Sequence, residues 1–222
     1  MRKLLVVTSC IFFVFTTNAQ SYLVDDLNQT VFLYPDFKKG KVLLKNKSEQ
    51  QAIFNYNMLF QQMIYVQNSV MMALDEIDKI DTVFVDTVKF VPVDTSFYEV
   101  RLSNTNLPLF IKYQVDITPA APATPYGGRS QTGAVQNITS YRFGVATPYQ
   151  LKVSDAYNVR RFAEYYIKRA DNFVHLKNAK HLKYLYPNQE KAIGMFIKQH
   201  HPSFNNTGDM ERLVSFMSNL DK

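Results

Sequence analysis

Few residues in this chain have the type and spacing for chemistry. The imidazoles are His175, His181, His200 and His201. None forms a His-x-x-x-His pair on a helix, and there is no His-Glu-x-x-His, so the zinc-protease pattern is missing. His200 falls near a helix end, where the C-terminal dipole favours a cation. Asp75, Glu76, Asp78 and Asp81 form an acidic cluster, but they lack the regular spacing and the glycine of a calcium loop. A solvated turn is the expectation there. Neither a Gly-x-Ser-x-Gly elbow nor a Ser-x-x-Lys with its companion motifs is present. Tyr126-Gly127-Gly128-Arg129-Ser130 lacks the spaced glycines and the lysine of a phosphate-binding loop. A triad or a pair of carboxylates assembled from distant residues stays open, because geometry and not chain order defines such sites. No cofactor or metal is expected.

The stronger chemical signal is positive charge. The formal net charge is +6, unevenly distributed. Residues 20–117 hold 9 Lys/Arg against 12 Asp/Glu, whereas residues 118–222 hold 14 against 7. Lys152, Arg160, Arg161, Lys168, Arg169, Lys177, Lys180 and Lys183 are the candidate residues for an anionic partner. Lys191 and Lys198 extend the run. If several share a face, their field attracts polyanions without a pocket. Anionic lipid or acidic glycan is the expected partner chemistry, another envelope protein is a further candidate, and nucleic acid is not expected. The competing reading is a solvated surface.

Elements must position these charges. Residues 22–117 read as successive strands, with Gly40 the only glycine among them. Ala52, Phe54 and Tyr56 alternate with Ile53, Asn55 and Asn57. Met63-Ile64-Tyr65-Val66 and Val70-Met71-Met72-Ala73-Leu74 flank a turn at Asn68-Ser69. Ile80, Thr82 and Phe84 are expected on one side and Asp81, Val83 and Val85 on the other. Phe97-Tyr98-Glu99-Val100-Arg101-Leu102 and Leu109-Phe110-Ile111-Lys112-Tyr113-Gln114-Val115 follow. Period-two patterning in Val, Ile, Phe and Tyr predicts an antiparallel meander that curls into a sandwich or open barrel.

Residues 118–140 hold three of the nine prolines and three of the seven glycines, and read as a linker or exposed loop open to proteolysis at Arg129. Beyond it a basic α/β tail spans residues 141–222, starting with a strand near residues 149–153. Tyr165-Tyr166-Ile167-Lys168-Arg169 and Phe173-Val174-His175-Leu176 flank Ala170-Asp171-Asn172 as a hairpin. Asn178 is placed to cap a helix that stops before Pro187. Asn188 is placed to cap a second, with Ile193, Phe196, Ile197 and His200 on one stripe, and Thr207 a third, with Met210, Leu213, Val214, Met217 and Leu220.

The chain's start carries an address. Arg2 and Lys3 precede an uncharged run over residues 4–15, and Thr16-Thr17-Asn18-Ala19 leads into Gln20. This is the layout of a secretory signal peptide, with cleavage expected after Ala19. The run is shorter than the about 20 residues of a spanning helix. Cys10, the only cysteine, lies too close to Lys3 for a lipoprotein signal. The mature chain is therefore expected to work without disulfides or thiolates, in the periplasm or on the surface of a Gram-negative cell.

Several segments resemble a group of small exported proteins common in Bacteroidetes. They are Lys39-Gly40-Lys41-Val42-Leu43-Leu44-Lys45-Asn46, Asn55-Tyr56-Asn57, Phe90 and Phe97-Tyr98-Glu99-Val100. The ending Asn18-Ala19-Gln20 and the segment Leu185-Tyr186-Pro187 also look like that group. The resemblance implies compartment and architecture and carries over no catalytic residue. Asp81-Thr82-Val83 and Asp86-Thr87-Val88 resemble the Asp-Thr-hydrophobic acceptor of exported Bacteroidetes glycoproteins, which implies O-glycosylation at Thr82 and Thr87. The reading is an α+β protein: signal peptide 1–19, antiparallel β region 20–117, linker 118–140 and basic tail 141–222. The expected role is a non-enzymatic binding module of the envelope. The alternative is an envelope glycan hydrolase without a recognisable motif.

Overall fold

The computed structural model describes residues 31–103, 106–119, 157–169 and 171–220. The expectations placed on residues 1–19, 120–140 and 149–153, and on Lys152, lie outside the described residues. The strands are β1 (Lys38–Leu44), β2 (Glu49–Asn57), β3 (Gln62–Gln67), β4 (Val70–Ala73), β5 (Ile80–Val85), β6 (Val88–Val93), β7 (Ser96–Arg101), β8 (Leu109–Pro119), β9 (Tyr157–Arg169) and β10 (Asn172–His175). The helices are α1 (Ala179–Leu185), α2 (Glu190–His200) and α3 (Thr207–Leu220). All ten strands form one antiparallel sheet in the order β10-β9-β8-β7-β6-β5-β1-β2-β3-β4. The expected α+β class with an N-terminal meander is what the chain adopts.

Tight turns make the meander possible. Asn68 and Ser69 both have positive φ, 50° and 64°, as a two-residue hairpin loop requires when its twist matches the strands. Asp86 and Asp94 begin the next two hairpin turns at φ 56° and 54°. Aspartate tolerates that left-handed region better than most side chains. Gly40 answers a different need. A Cβ there would lie 2.0 Å from the Phe84 carbonyl oxygen and 2.9 Å from the Phe54 ring. Only glycine lets β1 and β5 meet under that ring.

The sheet coils back on itself. At the β2–β3 corner, the Gln61 carboxamide accepts a hydrogen bond from Ser96 Oγ at 2.8 Å and donates one to Gln114 Oε1 at 3.3 Å. Residues of β2 and β3 therefore share a core with β7 and β8: Phe54, Tyr56, Met63 and Ile64 lie with Phe97, Val115 and Ile117. Further along the same face of β8, Leu109 and Ile111 are covered instead by the helices. Met210, Leu213, Val214 and Met217 form the buried stripe of α3, as the sequence spacing predicts. Each such side chain contributes about 1.5–3 kcal/mol on burial. The opposite face carries a smaller aromatic cluster, in which Phe173 lies edge-on to Tyr98 and Phe110.

Several expectations change. Thr118 and Pro119, assigned to the linker, continue β8 and pair with Asn158 and Tyr157. The C-terminal hairpin joins the same sheet as the meander through the long β8–β9 ladder. In β5 the register shifts at Leu43/Leu44, leaving Asp81 as an extra exposed residue. That bulge breaks the alternation, and Ile80 joins Val83 and Val85 in one core. Asn178 caps α1, its Oδ1 accepting from the His181 amide at 2.9 Å. At α2, a 3-10 turn over Pro187–Gln189 intervenes, so Gln189 and not Asn188 sits at the cap position. At α3 it is Asn206 Oδ1 that accepts from the Asp209 amide, at 3.0 Å. Thr207 is drawn away by the Tyr165 hydroxyl, 2.9 Å from its Oγ1.

Candidate functional site: a lysine-rich helical face and a buried charge seam

The sheet sorts the basic residues by parity, because neighbours on a strand point to opposite faces. Arg160 projects outward, donating from Nη2 to Asp116 Oδ2 at 2.6 Å. Arg161 turns to the other side and donates from Nη2 to the Phe32 carbonyl at 2.6 Å. Desolvation lowers its pKa, as for any cation drawn from water. Lys168 lies over the Phe173 ring and 3.8 Å from Asp171. Arg169 donates to the Leu185 carbonyl at 2.8 Å and stacks on Tyr186 with its guanidinium carbon 5.0 Å from the ring centre. Lys177 is exposed beyond β10. The candidate set therefore does not form one patch.

A smaller set does converge. Lys180, Lys183 and Tyr184 stand at i, i+3 and i+4 of α1, so they share a face. Lys191, Met195 and Lys198 stand at i, i+4 and i+7 of α2 and do likewise. The two faces adjoin. The Lys183 side chain crosses to α2, its Nζ 3.2 Å from the place a Cβ on Gly194 would occupy. Two open depressions of about 720 and 520 Å³ lie here and share Lys183, Pro187 and Glu190. Arg169 lines the first and Lys198 the second. Tyr184 is 81% exposed and Met195 61%. Among the described residues, none of the four lysines closes an ion pair. Tyr184 and Met195 escaped the sequence reading, although a signal existed: both are large apolar residues off the buried stripes set by Leu182 and Ile193.

Charge is used differently inside the sheet. Glu99 is 3% exposed, at the boundary between the two main cores. Tyr113 Oη donates to Glu99 Oε2 at 2.8 Å, and Arg101 Nε lies 2.5 Å from Glu99 Oε1 and 3.6 Å from Glu211 Oε1. Burial raises the Glu99 pKa, against the opposing pull of the Tyr113 hydrogen bond and of Arg101. Burial, followed by the nearby Glu99 charge, pushes the Tyr34 phenol up to about 12. A buried carboxyl with a raised pKa is a common mark of acid–base sites. Here both carboxyl oxygens are taken, and Arg101 stands between the two glutamates, so the arrangement serves as a clamp joining β7, β8 and α3. Glu99 was findable too. It shares strand parity with the core residue Phe97, which predicts an inward charge.

The remaining candidates stay apart. His175 stacks on Tyr166 with ring centres 4.8 Å apart, and His200 lies tilted against Phe196 at 4.4 Å. In the acidic cluster, Glu76 pairs with Lys79. Among the described residues no group of three or more His, Cys, Asp or Glu is arranged to hold a metal ion, and no helix is long and apolar enough to cross a membrane. Thr82 is 3% exposed, with its hydroxyl on Asp81, so the folded chain leaves no room for a glycan there. Thr87 is exposed on the β5–β6 turn. No family model, curated protein or solved structure matches the chain.

Proposed function

We propose that the chain is an exported, non-enzymatic binding module of a Gram-negative envelope, and that its α1–α2 face engages an anionic ligand, lipid headgroup or acidic glycan. The observation that carries this reading is the paired motif Lys180-Lys183-Tyr184 and Lys191-Met195-Lys198. Each helix presents two cations beside an exposed apolar side chain, and Lys183 links the two faces. Lysines without ion pairs keep their field for a ligand. The basic start, uncharged run and small residues of 1–19 support export, as does the likeness to small exported Bacteroidetes proteins. Thr87 is the acceptor position left open for O-glycosylation.

The test is retention of the protein, isolated from its host, on an acidic-polysaccharide column and on anionic vesicles, against neutral forms of each. The expected result is retention on at least one anionic material at low salt and release at about 1 M, where the Debye length falls to about 3 Å. No retention on either anionic material, or equal retention on neutral ones, overturns the proposal.

A further inference from the structure

Resting on that reading, we infer that the anionic ligand is a lipid surface, onto which the α1–α2 face docks with Tyr184 and Met195 entering the headgroup region. Three features favour a bilayer plane over a seated acidic sugar.

The first is the shape of what protrudes. Tyr184 and Met195 are the most exposed large hydrophobic residues described, at 81% and 61%. A sugar ring can stack on a tyrosine but gains nothing from a solvent-facing methionine. A membrane interface rewards both, because an amphipathic ring and a flexible thioether chain each leave water there. The flanking lysines suit the same geometry. Their long stems can lie along the apolar zone while the ammonium groups stay with the headgroups.

The second is the choice of cation. Reading a carboxylate in a defined pose calls for the planar fork of arginine. The arginine lining the first depression, Arg169, already donates from Nη1 to the Leu185 carbonyl and lies over the Tyr186 ring. The remaining cations are lysines, point charges on flexible stems that answer to a diffuse negative surface and not to one oriented anion.

The third is Glu190, which lines both depressions. A carboxylate there disfavours an anion seated within either hollow. Lys183 lines both as well and offsets that carboxylate, so the uncompensated positive charge is on the exposed Lys180, Lys191 and Lys198, which a headgroup plane would meet.

Vesicle sedimentation tests the inference, using phosphatidylcholine vesicles with and without phosphatidylglycerol and soluble polygalacturonate as a parallel ligand. The expected result is binding to the mixed vesicles alone, weakened roughly fivefold for each of Lys180 and Lys191 replaced by alanine. The double variant Tyr184→Ser, Met195→Ser keeps every cation and is expected to bind about tenfold more weakly. All four positions are on the surface, so an unchanged melting temperature accompanies these losses. Retention by polygalacturonate without vesicle binding overturns the lipid assignment and leaves the anionic-ligand reading standing. Binding to neither removes both. Vesicle binding unaffected in the Tyr184/Met195 variant overturns the docking geometry.

Discussion

The interior of the coiled sheet and the outer face of α1 and α2 use charge in opposite ways. Inside, Glu99 has each carboxyl oxygen engaged, by Tyr113 and by Arg101, and Arg101 reaches on to Glu211. Such a charge is bound to its partners by the cost of desolvation, and removing one partner strands the other. Outside, Lys180, Lys183, Lys191 and Lys198 lie on solvated helix faces around Tyr184 and Met195. Charges of this kind add little to folding. The contrast separates residues that hold the molecule together from residues available to a partner, and substitutions on the two sides should differ accordingly.

The largest effect is expected at Gly40. A methyl group there meets backbone at 2.0 Å, and the carbonyl of Phe84 cannot move without parting β1 from β5. Gly40→Ala should cost about 3 kcal/mol or more, at the upper end of overpacking effects, read as a shift in the urea midpoint. The charge seam comes next. Arg101→Ala leaves Glu99 without its cation. Arg101 is itself 45% exposed, so the loss should be about 2 kcal/mol, below that of a fully buried pair. Tyr113→Phe removes one hydrogen bond to the same carboxylate and should cost about 1–2 kcal/mol.

The seam also makes a pH prediction. The folded state raises the Glu99 pKa, so it favours the protonated form. The contribution of this residue to stability is then full below the unfolded carboxyl pKa and declines as pH rises through the folded value. Glu99→Gln, which cannot ionise, should gain stability relative to the parent as pH rises across that window. Denaturant melts of both proteins at acid and neutral pH check this, and a variant that loses stability relative to the parent as pH rises would contradict the assigned cause.

How much of this contrast was legible from the chain depends on range. Local signals were read directly. Alternation in residues 51–57, the Asn68-Ser69 turn and the Met210-Leu213-Val214-Met217 stripe all correspond to elements with the expected faces. Signals that depend on what a segment meets were not. The strand character of Thr118 and Pro119 depends on β9, which lies more than 35 residues further along. The bulge at Asp81 depends on the register between β5 and β1. Thr207 was a sound cap by type, but Asn206 was another, and the Tyr165 hydroxyl decided between them. The splitting of the basic set was legible at Lys168 and Arg169, which the sequence already placed on one hairpin strand, but at Arg160 and Arg161 it needed the start of β9 at Tyr157. Arg160 and Arg161, like Lys168 and Arg169, are neighbours on one strand and cannot share a face.

The smallest stability effects belong to the helical face. Asn178→Ala removes the cap of α1 and should cost about 1 kcal/mol, with frayed display of Lys180 and Lys183 and a modest loss of ligand affinity. Lysine substitutions on the face itself should leave stability within about 0.5 kcal/mol, as thermal melts would record.

The location of the binding charges is tested most directly by two double variants with the same change in net charge. One is Lys183→Glu with Lys191→Glu, on the α1–α2 face. The other is Arg160→Glu with Lys168→Glu, on the outer side of β9. Binding of each to anionic vesicles and acidic polysaccharide at low salt is compared with the parent. The first should lose binding and the second keep most of it. Equal losses in both would mean that net charge alone governs attraction, and would contradict the assignment of the α1–α2 face as the binding surface.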